Sequence, residues 1–363
     1  MTEGTRGHAA GLEVRDLEVR FASRRLFGGS GGEVRAVDGV SFHVDPGEVF
    51  CIAGESGCGK TTLGRALLGL VKVHSGKVWI SGLDPAQLSG EELRKFRRRV
   101  QVVFQDPIGS LNPRQSVYEA VAEGVRIHRL QGDEREIVAR ALARAGLRPP
   151  ERFFLNYPHE LSGGQRQRVV IAAAIVLEPQ VLVGDEPVSM LDVSVRGEIL
   201  KLLVELKDEI GMTLVLITHD LAFAWALADR VAIMYLGKIV ELGPAQTVLT
   251  EPLHPYTKSL LAVAPEVGRR RTHEVLTGEP PDPAHIPPGC RFHPRCPVLR
   301  SGEAGSQEPR CLGEVPALEE LVPGHRAACH VAAAGIVRTR GPQTPCLRPA
   351  APDDGREQNP GRT

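Results

Sequence analysis

One short segment restricts what this chain can fold into more than any other: Gly54-Glu55-Ser56-Gly57-Cys58-Gly59-Lys60-Thr61, followed by Thr62. It fits the spacing Gly, any four residues, Gly, Lys, then Ser or Thr, and it stands where that spacing can work. The apolar run of residues 49–53 precedes it, and Leu63, Ala66, Leu67 and Leu70 recur behind it at helical spacing. A buried strand, a glycine-rich turn and the start of a helix together make a cradle for phosphate. The glycines let backbone N–H groups turn inward at the helix N-terminus, Lys60 can neutralise β- and γ-phosphates, and the Thr61 hydroxyl can ligate Mg²⁺. A plain glycine-rich turn is the alternative, and the strand and helix on either side argue against it.

Further apolar runs at residues 100–104, interrupted only by Gln101, and at 181–183 and 214–217 read as strands buried on both faces. Helical stripes separate them, such as Ile137, Val138, Ala141, Leu142 and Ala145, so the expectation is an α/β fold with a parallel sheet wrapped by helices. Residues 12–21 and 34–44 instead alternate apolar and polar side chains, which predicts an antiparallel sheet at the start of the chain. Residues 231–236 and 239–242 around Gly237 read as a closing hairpin.

Two more segments carry chemistry. The run Val181-Leu-Val-Gly-Asp185-Glu186 ends a strand in two carboxylates; one can support Mg²⁺ and the next can orient or deprotonate a water. Leu161-Ser162-Gly163-Gly164-Gln165-Arg166-Gln167-Arg168 leads into an apolar helical run over residues 169–177. It reads either as an ordinary Ser-capped helix start or as a second anion site built on a helix N-terminus.

The charge balance removes other classes of function. Lys plus Arg and Asp plus Glu both number 44 in 363 residues, which argues against a dedicated nucleic-acid binder or a polybasic membrane anchor. The longest apolar run, residues 169–177, is about half of a bilayer span. Residues 1–11 contain no stretch of signal-peptide type, so a cytosolic chain is expected, with its cysteines as reduced thiols or metal ligands. Of the seven cysteines, Cys51 and Cys58 come early, and Cys290, Cys296, Cys311, Cys329 and Cys346 crowd the end. Beyond about residue 251 Pro and Gly become frequent, and residues 333–363 have no periodicity and are expected to be a disordered tail.

In chain order the phosphate loop, Gln105 after a buried strand, Leu-Ser-Gly-Gly-Gln at 161–165, the strand ending in Asp185 and Glu186, Leu191-Asp192, and His219 after a strand resemble the nucleotide-binding subunit of an ABC transporter. The resemblance covers residues 12–260. It implies a P-loop NTPase core of ABC type with an antiparallel β-subdomain, a helical subdomain over about 106–165 within a nucleotide-binding domain of 12–250, and a small Cys-containing C-terminal appendage. The cofactors it implies are ATP and Mg²⁺. Phe21 would stack on adenine, with a plain core Phe as the alternative. Residues 54–62 would hold the phosphates, and Thr61, Gln105 and Asp185 the Mg²⁺. Glu186 would be the general base and His219 would contact the γ-phosphate. Ser162, Gly163, Gly164 and Gln165 would close on ATP held by a second ATPase subunit, identical or paralogous, with Asp192 near that interface.

Within the superfamily, residues 103–114, Tyr157-Pro-His-Glu-Leu161 and His254-Pro-Tyr-Thr-Lys258 resemble the ATPases of dipeptide and oligopeptide importers. So does Gly289-Cys290-Arg-Phe-His-Pro-Arg-Cys296-Pro297, with Cys311 and Cys329 behind it, giving a family C-terminal region over 251–332. Four thiols within forty residues are enough for an Fe–S cluster or Zn²⁺. The resemblance implies a [4Fe–4S] cluster on Cys290, Cys296, Cys311 and Cys329, as in some members. The fourteen residues between Cys296 and Cys311 depart from the shorter gap of relatives, and unligated packing thiols remain the alternative. The implied partners are two transmembrane permease subunits at the cytoplasmic face of the cell membrane and, indirectly, an extracytoplasmic substrate-binding protein, with no nucleic acid. Two rival functions are a soluble ABC ATPase switch acting on nucleic acid or the ribosome, and an iron–sulfur regulator with a vestigial nucleotide fold. Tandem nucleotide domains or long coiled-coil insertions, usual in the first rival, are missing from the sequence, and the intact acid pair opposes the second.

Overall fold

The alternating residues at the start of the chain do form a strand, and a bulge keeps its apolar face inward. In the computed structural model, which describes residues 11–22, 33–263 and 278–336, Leu12 and Val14 are buried and so are Leu17 and Val19. Asp16, at φ 47°, takes up the extra residue between the two pairs, and its N–H donates to Ser41 Oγ at 2.8 Å. Among the described residues there are eleven strands: β1 Leu12–Ala22, β2 Glu33–Val44, β3 Val49–Ala53, β4 Ser75–Ile80, β5 Val100–Val103, β6 Val181–Asp185, β7 Thr213–Thr218, β8 Arg230–Tyr235, β9 Lys238–Pro244, β10 Glu319–Val322 and β11 His325–Ala327. The first sheet is antiparallel, in the order β2-β1-β4, and the second has the order β10-β11-β9-β8-β3-β7-β6-β5.

Every residue of β3 and β6 is buried, as continuous apolar runs require of strands covered on both faces. The register then decides where the loops emerge. Ala53 pairs with Thr218, Asp185 with Ile217, and Val103 with Gly184, all in parallel. Hence β3, β7, β6 and β5 end level with one another, and the residues just beyond them meet along one edge, where α/β sheets bind ligands.

Apolar cores cover both faces of the large sheet. On one face the helix Lys60–Leu67 buries Leu63, Ala66 and Leu67 between the two sheets, each large side chain contributing roughly 1.5–3 kcal/mol. There Phe42 of β2 stacks on Phe50 of β3 with ring centroids 5.0 Å apart. On the other face the helices Val117–His128, Glu134–Arg144 and Gly163–Ile175, inserted between β5 and β6, pack around Val121, Val125, Leu142 and Ile171. Ser116 with Glu119 and Ser162 with Gln165 form capping boxes that start the first and third of these helices.

The C-terminal region is built into the fold rather than appended to it. Strand β11 pairs antiparallel with β9 and covers what would otherwise be an open sheet edge. Phe292 is fully buried beside Tyr235 of β8 and Tyr256 of the helix Pro255–Val263, with centroids 5.4 Å from each. A drop in periodicity therefore marked a change of packing style, not a separate module. The first residues of the expected tail are instead part of the fold: His330–Ala333 is helical, and Ile336 N–H bonds Val331 O. The rest of that tail, with Cys346, lies outside the described residues.

Candidate nucleotide site

The loop between β3 and its helix has a shape that only glycine permits at two points. Gly54 (φ 154°) and Gly59 (φ 106°) adopt backbone angles that L side chains rarely take, and a Cβ would collide with the carbonyl oxygen of Met234 at the first and of Ala36 at the second. Gly59 is also the N-cap of Lys60–Leu67 and offers no side-chain cap, so N–H groups of the first helical turn are left for a ligand. Lys60 is buried, its Nζ donating to the carbonyls of Gly54 and Glu55 at 2.8 Å each. Ser56 and Gly57 face solvent, Thr62 is half-buried, and Cys58 is buried with its thiol pKa pushed up by burial, as suits a packing residue.

Side chains from the neighbouring strand ends converge on this loop. Thr61 Oγ1 donates to Asp185 Oδ1 at 3.1 Å. Asp185 is buried, and desolvation raises its carboxyl pKa; the Thr61 bond pulls the other way and the Glu186 charge adds to the rise. A buried acid short of positive charge, bonded to a hydroxyl, is a fitting pair of Mg²⁺ ligands beside substrate phosphates. Glu186 has φ 49°, rare for a bulky residue, and its N–H is tied to Ile217 O. The Oε2 of Glu186 accepts from Gln105 Nε2 at 3.3 Å and lies 3.2 Å from His219 Nδ1. Phe21 is 44% exposed at the end of β1, because a register shift after Val19 carries it off the buried face; the core-Phe alternative does not hold.

The Leu-Ser-Gly-Gly-Gln segment stands apart. Its glycines lie in the first turn of Gly163–Ile175, so the helix starts six residues before the apolar run that marked it. The Ser162 hydroxyl accepts the Gln165 N–H at 3.3 Å, which makes it a cap within its own helix, and both Ser162 and Gly163 face solvent. Among the described residues no hydrogen bond joins residues 162–165 to the phosphate loop. Gly164 sits against the helix Val193–Ile210, where a Cβ would come 2.9 Å from Val195 Cγ1, and Asp192 caps that helix without a side-chain bond and is exposed.

Residues 37–189 match the family model described as "ABC transporter", and residues 240–302 match "Oligopeptide/dipeptide transporter, C-terminal region". The oligopeptide transport ATP-binding protein AppF of Bacillus subtilis is 44% identical over 88% of this chain and 97% of its own length. The chain belongs to the ABC transporter ATP-binding proteins. The di/tripeptide transport ATP-binding protein DppF of Pseudomonas aeruginosa is 42% identical over 88% of this chain and 97% of its own. Among solved structures, the ABC cassette MJ0796 in a dimeric post-hydrolysis state with ADP and Pi superposes with a TM-score of 0.57 at 28% identity, over 65% of this chain and 99% of that one. The protein is thus an ABC-type ATPase with a P-loop core.

In this ABC ATPase the C-terminal cysteines do not make the ligand set expected of them. Cys296, with the half-buried Cys290, packs in the cluster of Tyr235, Tyr256 and Phe292, while Cys311 and Cys329 are buried with Ala304 and Val331. Burial, with smaller contributions from neighbouring cysteines, pushes Cys290 up to about 12 and Cys329 up to about 11 and raises Cys311, and burial alone raises Cys296. Among the described residues no group of three or more His, Cys, Asp or Glu side chains is arranged to hold a metal ion. The four thiols lie close enough to influence one another, but nothing in their arrangement supports the expected [4Fe–4S] cluster.

Sequence reasoning also missed two residues that touch the phosphate loop. Tyr256 Oη accepts the Glu55 N–H at 2.9 Å, and Arg295 holds the Glu55 carboxylate. Both lie in segments recognised above only as family markers.

Proposed function

We propose that this ABC ATPase is the motor subunit of a peptide importer, working at the cytoplasmic face of the membrane on two permease subunits that receive cargo from an extracytoplasmic binding protein. Peptide cargo rests on the names of the AppF and DppF relatives. Among the described residues no helix is long and apolar enough to cross a membrane, which accords with a peripheral role. We read residues 12–250 as the nucleotide-binding domain, 106–165 as its helical subdomain and 251–332 as the family C-terminal region.

The observation that carries the catalytic reading is the meeting of Gln105 and His219 on Glu186, one residue beyond the Thr61–Asp185 pair. Residues 54–62 hold the phosphates and Phe21 stacks on the base. Thr61, Asp185 and Gln105 would hold Mg²⁺, which would neutralise charge on the transferred phosphoryl group. Glu186 accepts a proton from the attacking water as its oxygen bonds to the γ-phosphorus and the bond to ADP breaks. His219 steadies Glu186 and contacts the γ-phosphate. The exposed Ser162 and Gly163, with the half-buried Gly164 and Gln165, bonded to no residue of their own phosphate loop, complete the site of a second ATPase subunit, with Asp192 at the seam.

Glu186→Gln keeps the hydrogen bonds of the pocket and removes the base. In the purified complex it retains MgATP binding and loses steady-state phosphate release by roughly a hundredfold or more. Unchanged turnover would remove Glu186 from the mechanism.

We assign the four C-terminal cysteines to packing. Iron and sulfide analysis of anaerobically purified protein, with Cys290→Ser beside it, is expected to find neither in stoichiometric amount; stoichiometric iron that Cys290→Ser loses would reinstate the cluster.

A further inference from the structure

The phosphate loop is held from outside the ATP-binding core. Arg295, buried on the turn His293–Arg295, donates from its two terminal nitrogens to the two carboxylate oxygens of Glu55, at 2.7 and 3.0 Å. Such a forked pair fixes both distance and plane. The fully buried Tyr256 takes the Glu55 N–H, and the Glu55 carbonyl takes Lys60 Nζ at 2.8 Å. Every polar group of Glu55 is therefore committed, two of them to the C-terminal region. Burial raises the Tyr256 phenol pKa, so it stays protonated, and Arg295 is raised chiefly by its bond to Glu55. Arg295 also lies over the Tyr235 ring, 6.0 Å from its centroid.

A carboxylate is an odd group to set on a loop that receives a triphosphate, since at these separations an uncompensated negative charge repels the ligand. We propose that Arg295 and Tyr256 are positioning residues of the ATP site: they neutralise and orient Glu55, and through its carbonyl Lys60, so that the C-terminal region governs the affinity for MgATP. The proposal rests on the ATPase reading. If Arg295 served only to glue the C-terminal region down, its loss would weaken the fold whatever stood at residue 55. If it neutralises Glu55, removing the carboxylate as well relieves the defect.

The test is equilibrium binding of MgATP to the full chain, for wild type, Arg295→Gln and the double variant Glu55→Gln/Arg295→Gln, with thermal unfolding of each in parallel. Arg295→Gln is expected to weaken binding by roughly tenfold, a loss that shrinks with added salt, and the double variant to recover most of it. Wild-type protein that does not bind MgATP would overturn the ATPase reading itself. Wild-type binding together with an Arg295→Gln affinity within about twofold of it, or a loss that the double variant keeps or that salt does not touch, overturns the inference. If Arg295→Gln does not fold, Arg295→Lys, which keeps the charge without the fork, is measured instead; an intermediate loss supports the proposal and unchanged affinity overturns it.

Discussion

Glu186 and Gly59 hold backbone conformations that their neighbours impose, and both stand at the nucleotide site. Glu186 at φ 49° is kept there by its bond to Ile217 O, which turns its carboxylate toward Gln105 and His219. Gly59→Ala would put a methyl group into the Ala36 carbonyl and add backbone strain on the order of 1–3 kcal/mol. We expect that variant to lose MgATP binding in a direct binding assay even where circular dichroism reports native helix content. His254 offers a pH signature. It is fully buried, its Nδ1 accepts the Tyr256 N–H, and burial lowers its pKa to about 4 although Glu241 opposes the fall. Between about 4 and its ordinary value near 6.5 the unfolded chain binds the proton and the folded chain does not, so this residue costs stability as the pH falls through that window. Denaturant titrations from pH 7 down to 4 should show wild type losing up to about 3 kcal/mol more than His254→Gln; parallel curves would rule the effect out.

Among the elements, level strand ends do the most for function. Parallel register between β3, β7, β6 and β5 brings Thr61, Asp185, Glu186, Gln105 and His219 together from segments far apart in the chain. The edge strand β11 does the most for the C-terminal region. The Ala328 N–H just past it donates to Val240 O at 2.8 Å, and Ala328→Pro removes that donor. A loss of about 1–3 kcal/mol is expected, read as a lower unfolding midpoint. If β11 is what fastens Arg295 to the core, MgATP affinity falls in the same variant.

As a whole, one chain presents a phosphate loop in one place and an unengaged Leu-Ser-Gly-Gly-Gln helix start in another. That division suits a protein whose site is completed by a second subunit. Glu186→Gln protein with MgATP should therefore sediment as a dimer, and adding Ser162→Arg should return it to monomer; a monomer in the first case would count against the shared site. The balanced charge of the chain fits a subunit that meets the membrane through partners rather than through a basic face of its own.

The sequence by itself determined the phosphate loop, the buried strands, the acid pair and the hairpin turning at Leu236 and Gly237, because each depends on a local rule: a glycine where φ must be positive, an apolar run where both faces are covered, an acid at a strand end. Tertiary structure alone decided the rest. Glu55 finds Arg295 across 240 residues and Tyr256 across 201, β11 closes the edge of β9, and Cys290, Cys296, Cys311 and Cys329 divide between two apolar clusters. Such pairings follow from how elements dock, and docking leaves no period or spacing in a single sequence. The C-terminal region looked like an appendage for the same reason: its short, Pro-broken segments obtain their order from the sheet edge and aromatic pocket they cover.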